Sequence, residues 1–313
     1  MTGPAAPPAA FADLGRAGRS RWWVWLLGVA VLAVLVVGMQ ALLLAVQGVW
    51  AGLLGVDPDS LARGDLDLGR QPVVDMALTL ASVGTLAPAV YAVVRWVHGR
   101  TWRTVVTARP RFRWRLFAAG FAVVAAVMAA SVAVNLALGL SDIRWAFDRD
   151  RFFAFLPVCL LLTPLQVLGE EVLFRGYLLQ LVGRFTGRAA VRLLVPAAAF
   201  FAVHLGNPEV EAWGGWAVAQ YALVALYLGW VTLRSDGLEA STGLHLGINL
   251  ALSLVIGSPG DSLDGAPVLV AQTYSPVTDL ASLVALCAVH YAAVVRLVGP
   301  NPNPNLGANT GRV

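Results

Sequence analysis

The chain has 313 residues, of which 58% are hydrophobic and only 13% carry a charged side chain. Soluble proteins average about 25% charged residues, so this composition excludes an ordinary soluble protein and indicates a polytopic membrane protein. The 22 basic residues are all arginine and exceed the 18 acidic residues, for a formal charge of +4. They flank apolar segments and form no stripe interleaved with aromatics, so we expect a lipid bilayer around the chain and no nucleic-acid partner.

Eight apolar segments are long enough to cross a hydrocarbon core of about 30 Å, which takes about 20 helical residues. They cover residues 23–49, 73–97, 116–140, 152–183, 189–205, 213–233, 238–257 and 278–299. The sequence therefore predicts an all-α membrane protein with about eight transmembrane helices. The fourth segment is too long for one straight crossing, and we expect Pro164 to break it.

Arginine is distributed unevenly between alternate loops and predicts the orientation of the chain. The segments before the first span and after the second, fourth and sixth spans are rich in arginine, whereas the other loops carry mostly Asp and Glu. By the positive-inside rule, both termini lie in the cytoplasm of a multi-pass cell-membrane protein. His98, between Arg95 and Arg100, is expected to be solvated in a cytoplasmic loop. Residues 1–21 are predicted to be disordered and residues 300–313 to form a flexible tail.

Adjacent carboxylates, Glu170 and Glu171, end a stretch of apolar sequence and are followed by Arg175. Ionisable groups at membrane depth are costly and usually face a protein interior. Glu171 and Arg175 have the i, i+4 spacing of an intrahelical ion pair. Neighbouring helical residues point about 100° apart, so Glu170 faces elsewhere and is the candidate general base.

Two histidines inside apolar segments supply further polar groups. Phe200 precedes His204 by one helical turn, and Asn249 follows His245 by one turn, so each pair shares a helix face. A single histidine in a transmembrane helix is more often a hydrogen-bonding residue between helices than a catalyst. The combination of Glu, His and Asn side chains on three segments favours a functional site in a polar intramembrane cavity.

The ordered motifs EExxxR, FxxxH and HxxxN, with the first extended to EEVLFRGYL, resemble those of the CPBP family, the CAAX-protease and bacteriocin-processing intramembrane proteases. The resemblance covers about 80 residues, from Glu170 to Asn249. It implies an endopeptidase acting on membrane-anchored protein or peptide substrates, such as CAAX proteins or bacteriocins.

The resemblance also implies roles for the motif residues. Glu170 would activate water with the help of His204, and His245 and Asn249 would stabilise the oxyanion. Glu171, Arg175 and Phe200 would support the site. It further implies a catalytic core over residues 151–257, between N-terminal helices (22–150) and a last loop and helix (258–299).

Two alternatives remain at the level of sequence. A carboxylate and two imidazoles suit Zn²⁺, so a metalloprotease with Glu170, His204 and His245 as ligands is possible, although HExxH is absent. We favour catalysis without a metal. The other alternative is a non-catalytic scaffold, regulator or transporter that keeps the polar cluster for structure.

Overall fold

A computed structural model describes residues 10–53, 72–140, 142–258, 262–263, 265–272 and 275–299. The helices in these ranges are α1 (Trp22–Leu53), α2 (Pro72–Gly84), α3 (Leu86–Ala92), α4 (Trp114–Leu138), α5 (Arg149–Glu170), α6 (Leu179–Phe185), α7 (Ala189–His204), α8 (Pro208–Trp213), α9 (Gly215–Ser235), α10 (Glu239–Leu254) and α11 (Pro276–Val298). Short 3₁₀ helices cover Phe11–Arg16 and Trp102–Val105, and π-helical segments cover Val93–Val97 and Glu171–Leu178.

Within the described ranges, six helical segments are long and apolar enough to cross a bilayer. They are Trp22–Val49, Pro72–Val97, Trp114–Leu138, Arg149–Phe185, Gly215–Ser235 and Pro276–Val298. The prediction of an all-α polytopic membrane protein is confirmed, with fewer full-length spans than the eight expected. Two of the expected spans, α7 and α10, have only 16 residues each. Such helices are about 24 Å long, short of a core about 30 Å thick.

A small sheet closes one end of the helix bundle, which we call the sheet end. Strand β3 (Leu269–Ala271) lies between β1 (Ile143–Trp145), to which it is antiparallel, and β2 (Ile256–Gly257), to which it is parallel. Helix α5 begins just after β1, and α10 ends just before β2. Helix α5 therefore runs away from the sheet and α10 runs toward it, so the two helices are antiparallel.

The opposite end of the bundle, where α9 ends and α10 begins, is the arginine end. The Phe11 backbone N–H donates to Asp236 Oδ1 at 3.1 Å, and Arg234 donates to the carbonyl of Gly299 at 2.8 Å. Arg113 forms a salt bridge with Glu239, the first residue of α10, at 2.7 Å. The first and last described parts of the chain therefore lie at the same end of the molecule.

The N-terminal segment is ordered where disorder was expected. Phe11 is fully buried in the 3₁₀ helix, Asp13 accepts from Arg192 at 2.7 Å, and Arg100 donates to the Leu14 carbonyl at 2.7 Å. The prediction of disorder over 1–21 is therefore wrong for residues 10–21, because alanine and proline content says nothing about a buried phenylalanine anchor. Residues 1–9 and the predicted flexible tail, 300–313, lie outside the described residues.

His98 is also not solvated as expected. The ring has no exposed surface; its Nδ1 lies 3.2 Å from the Arg19 carbonyl and its Nε2 3.1 Å from the Tyr177 hydroxyl. Trp25 packs against the ring with centroids 4.2 Å apart. The flanking arginines suggested a solvated loop, but the N-terminal segment covers the histidine.

The expected break at Pro164 is wrong, because α5 continues through Pro157 and Pro164. The helix changes geometry later, where Glu171 begins the π-helical segment. Proline is tolerated within membrane helices when neighbouring groups satisfy the freed backbone carbonyls. The prediction from local helix propensity therefore put the change in helix geometry about two turns too early.

Close helix contacts hold α10 in position. A Cβ at Gly243 would meet the backbone of Phe117 on α4, and one at Gly120 would meet the backbone of α10 near Leu244. Small residues that let helix backbones approach are the usual basis of packing in membranes, where burial of apolar surface gives little driving force. This contact fixes the helix that carries His245 and Asn249.

Candidate active site

Three helices bring the predicted polar residues together. Glu170 is the last residue of α5, His204 is the last residue of α7, and His245 lies in the middle of α10. Glu170 Oε1 is 3.9 Å from His204 Nε2, and Glu170 Oε2 is 3.5 Å from His245 Nε2. The three side chains keep 10%, 15% and 7% of their surface exposed. The carboxylate thus faces both rings in a nearly enclosed site with a narrow opening.

Glu171 turns away from this opening and is fully buried. As the i, i+4 spacing predicts, its Oε1 accepts from Arg175 Nη1 at 3.0 Å. The same oxygen lies 3.0 Å from His245 Nδ1. Glu171 therefore connects the arginine of its own segment with the histidine of α10.

The hydrogen bonds of the two rings determine which nitrogen faces Glu170. His204 Nδ1 lies 2.7 Å from the Phe200 carbonyl, and His245 Nδ1 faces the Glu171 carboxylate. A carbonyl or carboxylate oxygen can only accept, so Nδ1 carries the hydrogen in each neutral ring. Both Nε2 atoms then direct a lone pair at Glu170.

Phe200 is the packing centre of the cluster. Arg175 stacks on its ring at 3.9 Å, His204 packs against it with centroids 4.1 Å apart, and His245 meets it edge-on at 6.1 Å. Tyr221 of α9 lies beside His204, at 5.1 Å between ring centroids. The FxxxH spacing therefore places one aromatic ring against three of the polar side chains.

Asn249 lies one helical turn beyond His245 and is held by a residue of α5. Its Nδ2 donates to Gln166 Oε1 at 2.9 Å, and both side chains are buried. Gln166 in turn lies one turn before Glu170. Two layers of polar contacts thus join α5 and α10, with the amide pair in the layer nearer the sheet end.

Local backbone structure gives the two adjacent glutamates different surroundings. Glu170 ends an α-helix and Glu171 begins the π-helical segment, a geometry that often occurs at functional sites. Gly169 lets α5 approach α2 closely, because a Cβ there would meet the Val83 carbonyl. Glu170 is thereby set at the edge of the core and Glu171 inside it.

Comparison with known proteins gives a family match over the residues of this site. The family described as Type II CAAX prenyl endopeptidase Rce1-like matches residues 152–251. This match supports the resemblance to the CPBP family of CAAX proteases that the motifs indicate. The Rce1-like domain contains every residue of the cluster from Gln166 to Asn249.

A curated relative covers more of the chain than the Rce1-like domain does. The uncharacterized protein YyaK of Bacillus subtilis is 28% identical over 219 residues, which is 70% of this chain and 73% of that protein. No solved structure matches the chain. The similarity to YyaK therefore extends well outside the Rce1-like domain.

The charges of the Rce1-like site do not balance unless a proton is added. With both carboxyl groups ionised, Glu170, Glu171 and Arg175 sum to a charge of −1. An unbalanced charge in a low-dielectric interior is costly. One proton on Glu170 or on an imidazole would neutralise the cluster.

The geometry does not fit the zinc site considered from sequence. Ligands 2.0–2.1 Å from a tetrahedral zinc ion lie about 3.3 Å apart. Here His245 Nε2 is 3.5 Å from Glu170 Oε2, but His204 Nε2 is 3.9 Å from Glu170 Oε1. Across the described ranges, no group of three His, Cys, Asp or Glu side chains is arranged to hold a metal ion. Zinc ligation by Glu170, His204 and His245 is thus not supported by this arrangement.

Two residues of the site were missed by sequence reasoning. Gln166 could have been identified from the sequence, because it is a polar residue one turn before Glu170 on the same helix face. Tyr221 carries no such signal, because its contact with His204 joins helices that are adjacent only in the fold. It also accepts a hydrogen bond from Asn207 Nδ2 at 2.7 Å, which ties α9 to the segment after His204.

Proposed function

We propose that the chain is an intramembrane endopeptidase that hydrolyses peptide bonds of membrane-anchored protein or peptide substrates. The observation that carries the proposal is a carboxylate facing two imidazoles at a narrow opening, next to a second carboxylate that is already paired with arginine. Since Arg175 pairs with Glu171, Glu170 is the carboxylate assigned to act as the base. The match of residues 152–251 to a family of endopeptidases gives further support.

In the proposed reaction, Glu170 and His204 hydrogen-bond a water molecule that attacks the carbonyl carbon of the substrate. Glu170 takes a proton from this water as the new C–O bond forms. The tetrahedral intermediate collapses as the C–N bond breaks, and Glu170 passes the proton to the leaving amine nitrogen. The products are a carboxylic acid and an amine, and no redox partner is needed.

His245 and Asn249 are proposed to stabilise the oxyanion of the intermediate. His245 can donate from Nε2 only as the protonated ring, because Nδ1 already directs its hydrogen at Glu171. Donors aimed at a developing oxyanion are worth about 3–4 kcal/mol each.

Cleavage of membrane-anchored reporter peptides by the purified protein in lipid nanodiscs tests the proposal. Glu170→Gln keeps the shape of the side chain but removes the base, so we expect at least about a 100-fold loss of kcat. The control is Glu211→Gln, which changes an exposed glutamate of α8. Full activity of Glu170→Gln would contradict the assigned role.

The same cleavage assay with a chelator distinguishes the metal-free mechanism from a zinc-dependent one. We expect cleavage to be unchanged by a strong chelator, because no group of three His, Cys, Asp or Glu side chains in the described ranges is arranged to hold a metal ion. Loss of cleavage that added zinc restores would overturn the metal-free mechanism and leave the endopeptidase proposal standing. A wild-type protein that cleaves no reporter would favour the non-catalytic alternative.

A further inference from the structure

The amide pair of Gln166 and Asn249 lies between the helices that carry Glu170 and His245. Gln166 is 7% exposed and Asn249 is 8% exposed, and the 2.9 Å bond between them joins residues far apart in sequence. Burial of two amides within a membrane protein is costly unless each finds a partner. The pair therefore forms a specific contact at the site.

This bond determines which end of the Asn249 amide is held. Asn249 Nδ2 has two hydrogens, and Gln166 Oε1 accepts one of them. The second hydrogen stays available to a substrate oxyanion. Without Gln166 the amide could rotate by 180° and present Oδ1, whose lone pairs would repel an oxyanion.

The position of Gln166 supports a role in the reaction. Gln166 and Glu170 are one turn apart on α5, and Asn249 and His245 are one turn apart on α10. Since these helices run in opposite directions, the amide pair stacks directly on the layer formed by Glu170, Glu171 and His245. Gln166 thus bonds the proposed oxyanion donor.

We infer that Gln166 is a positioning residue that orients the Asn249 amide toward the oxyanion. This inference rests on the proposed endopeptidase function and adds a residue to its site. Because an oxyanion forms only in the transition state, loss of the orientation should lower kcat and leave KM nearly unchanged.

A double-mutant cycle on reporter cleavage tests the inference. Gln166→Leu keeps the side-chain size and removes both amide groups, and we expect about a 10-fold loss of kcat in the wild-type background. In an Asn249→Ala background the same change should alter kcat by less than about 2-fold, because there is no amide left to orient. Equal losses in both backgrounds would overturn the inference.

The matched control is Gln180→Leu, which removes another buried glutamine beyond the site. Gln180 accepts from Arg100 at 2.8 Å and donates to the Thr104 carbonyl at 2.6 Å at the arginine end. We expect this change to lower stability but not to lower kcat per folded molecule. A loss of kcat as large as that of Gln166→Leu would show a general effect of lost buried hydrogen bonds and would overturn the inference.

The outcomes separate this inference from the proposed function. If the wild-type protein cleaves reporters and Glu170→Gln does not, the function stands and the cycle decides on Gln166 alone. If the wild-type protein cleaves nothing, the function fails and the inference with it. A KM that rises while kcat holds would assign Gln166 to substrate binding and would also overturn the inference.

Discussion

Glu171 holds the buried cluster together through one oxygen atom. That atom accepts from Arg175 and faces the ring of His245, while Arg175 also stacks on Phe200. The arginine therefore offsets a carboxylate that water cannot reach. Removing one partner of such a pair leaves an uncompensated charge, which costs about 3–5 kcal/mol.

We expect Arg175→Gln to lower the free energy of unfolding by about 3–5 kcal/mol. A second change, Glu171→Gln, should recover part of this loss because it removes the unpaired carboxylate. The measurement is unfolding of the protein in nanodiscs. As a control, Arg144→Gln breaks the 2.7 Å bridge to Asp142 at the sheet end, where both side chains are well exposed, and should have no measurable effect. A double variant less stable than Arg175→Gln would contradict this account.

Contacts within one turn of helix could be predicted from the sequence, and contacts between helices could not. The Glu171–Arg175 bond follows from the i, i+4 spacing alone. The bonds from Asn249 to Gln166 and from His245 to Glu171 depend on how α5 and α10 are aligned. That alignment depends on close packing at Gly243 and on other tertiary contacts that no single segment encodes.

At the scale of elements, His98 connects three separate parts of the chain. It follows directly after the span that ends at Val97 and contacts both the N-terminal segment, through Arg19, and the π-helical segment, through Tyr177. Burial lowers the pKa of His98 from its ordinary value of 6.5 to about 4, and nearby Arg100 adds to this effect. The folded protein therefore holds the ring neutral at pH values where the unfolded chain binds a proton.

This shift predicts a pH-dependent stability. The contribution of His98 is complete above about pH 6.5 and is lost as the pH falls toward 4, at up to about 1.4 kcal/mol per pH unit. His98→Gln, which cannot titrate, should flatten the dependence between pH 6.5 and 4.5. The measurement is the difference in unfolding free energy between wild type and variant, since all other titrating groups are common to both. Parallel curves would show that His98 does not carry the effect.

On the scale of the whole molecule, both described ends of the chain meet at the arginine end. Phe11 bonds Asp236 and Arg234 bonds Gly299, so the even number of crossings expected from the sequence agrees with the structure. Composition was sufficient to predict a helical membrane protein. The small sheet at the opposite end was not predictable, because its strands have two or three residues each and β1 pairs with β3 across more than 100 residues of sequence.

The direction in which this bundle crosses the membrane stays a prediction from the arginine distribution, and labelling of single cysteines tests it. The two native cysteines, Cys159 and Cys287, are buried and can be replaced by alanine. Arg16 and Arg144 have 55% and 67% of their side chains exposed, at the arginine end and the sheet end respectively. In intact cells, a membrane-impermeant thiol reagent should label Arg144→Cys and reach Arg16→Cys only after the membrane is opened. This pattern is expected because positive charge is retained in the cytoplasm. The reverse pattern would mean that the arginine end faces outward. Labelling of both sites in intact cells would place both ends of the bundle on one side of the membrane and contradict the described arrangement.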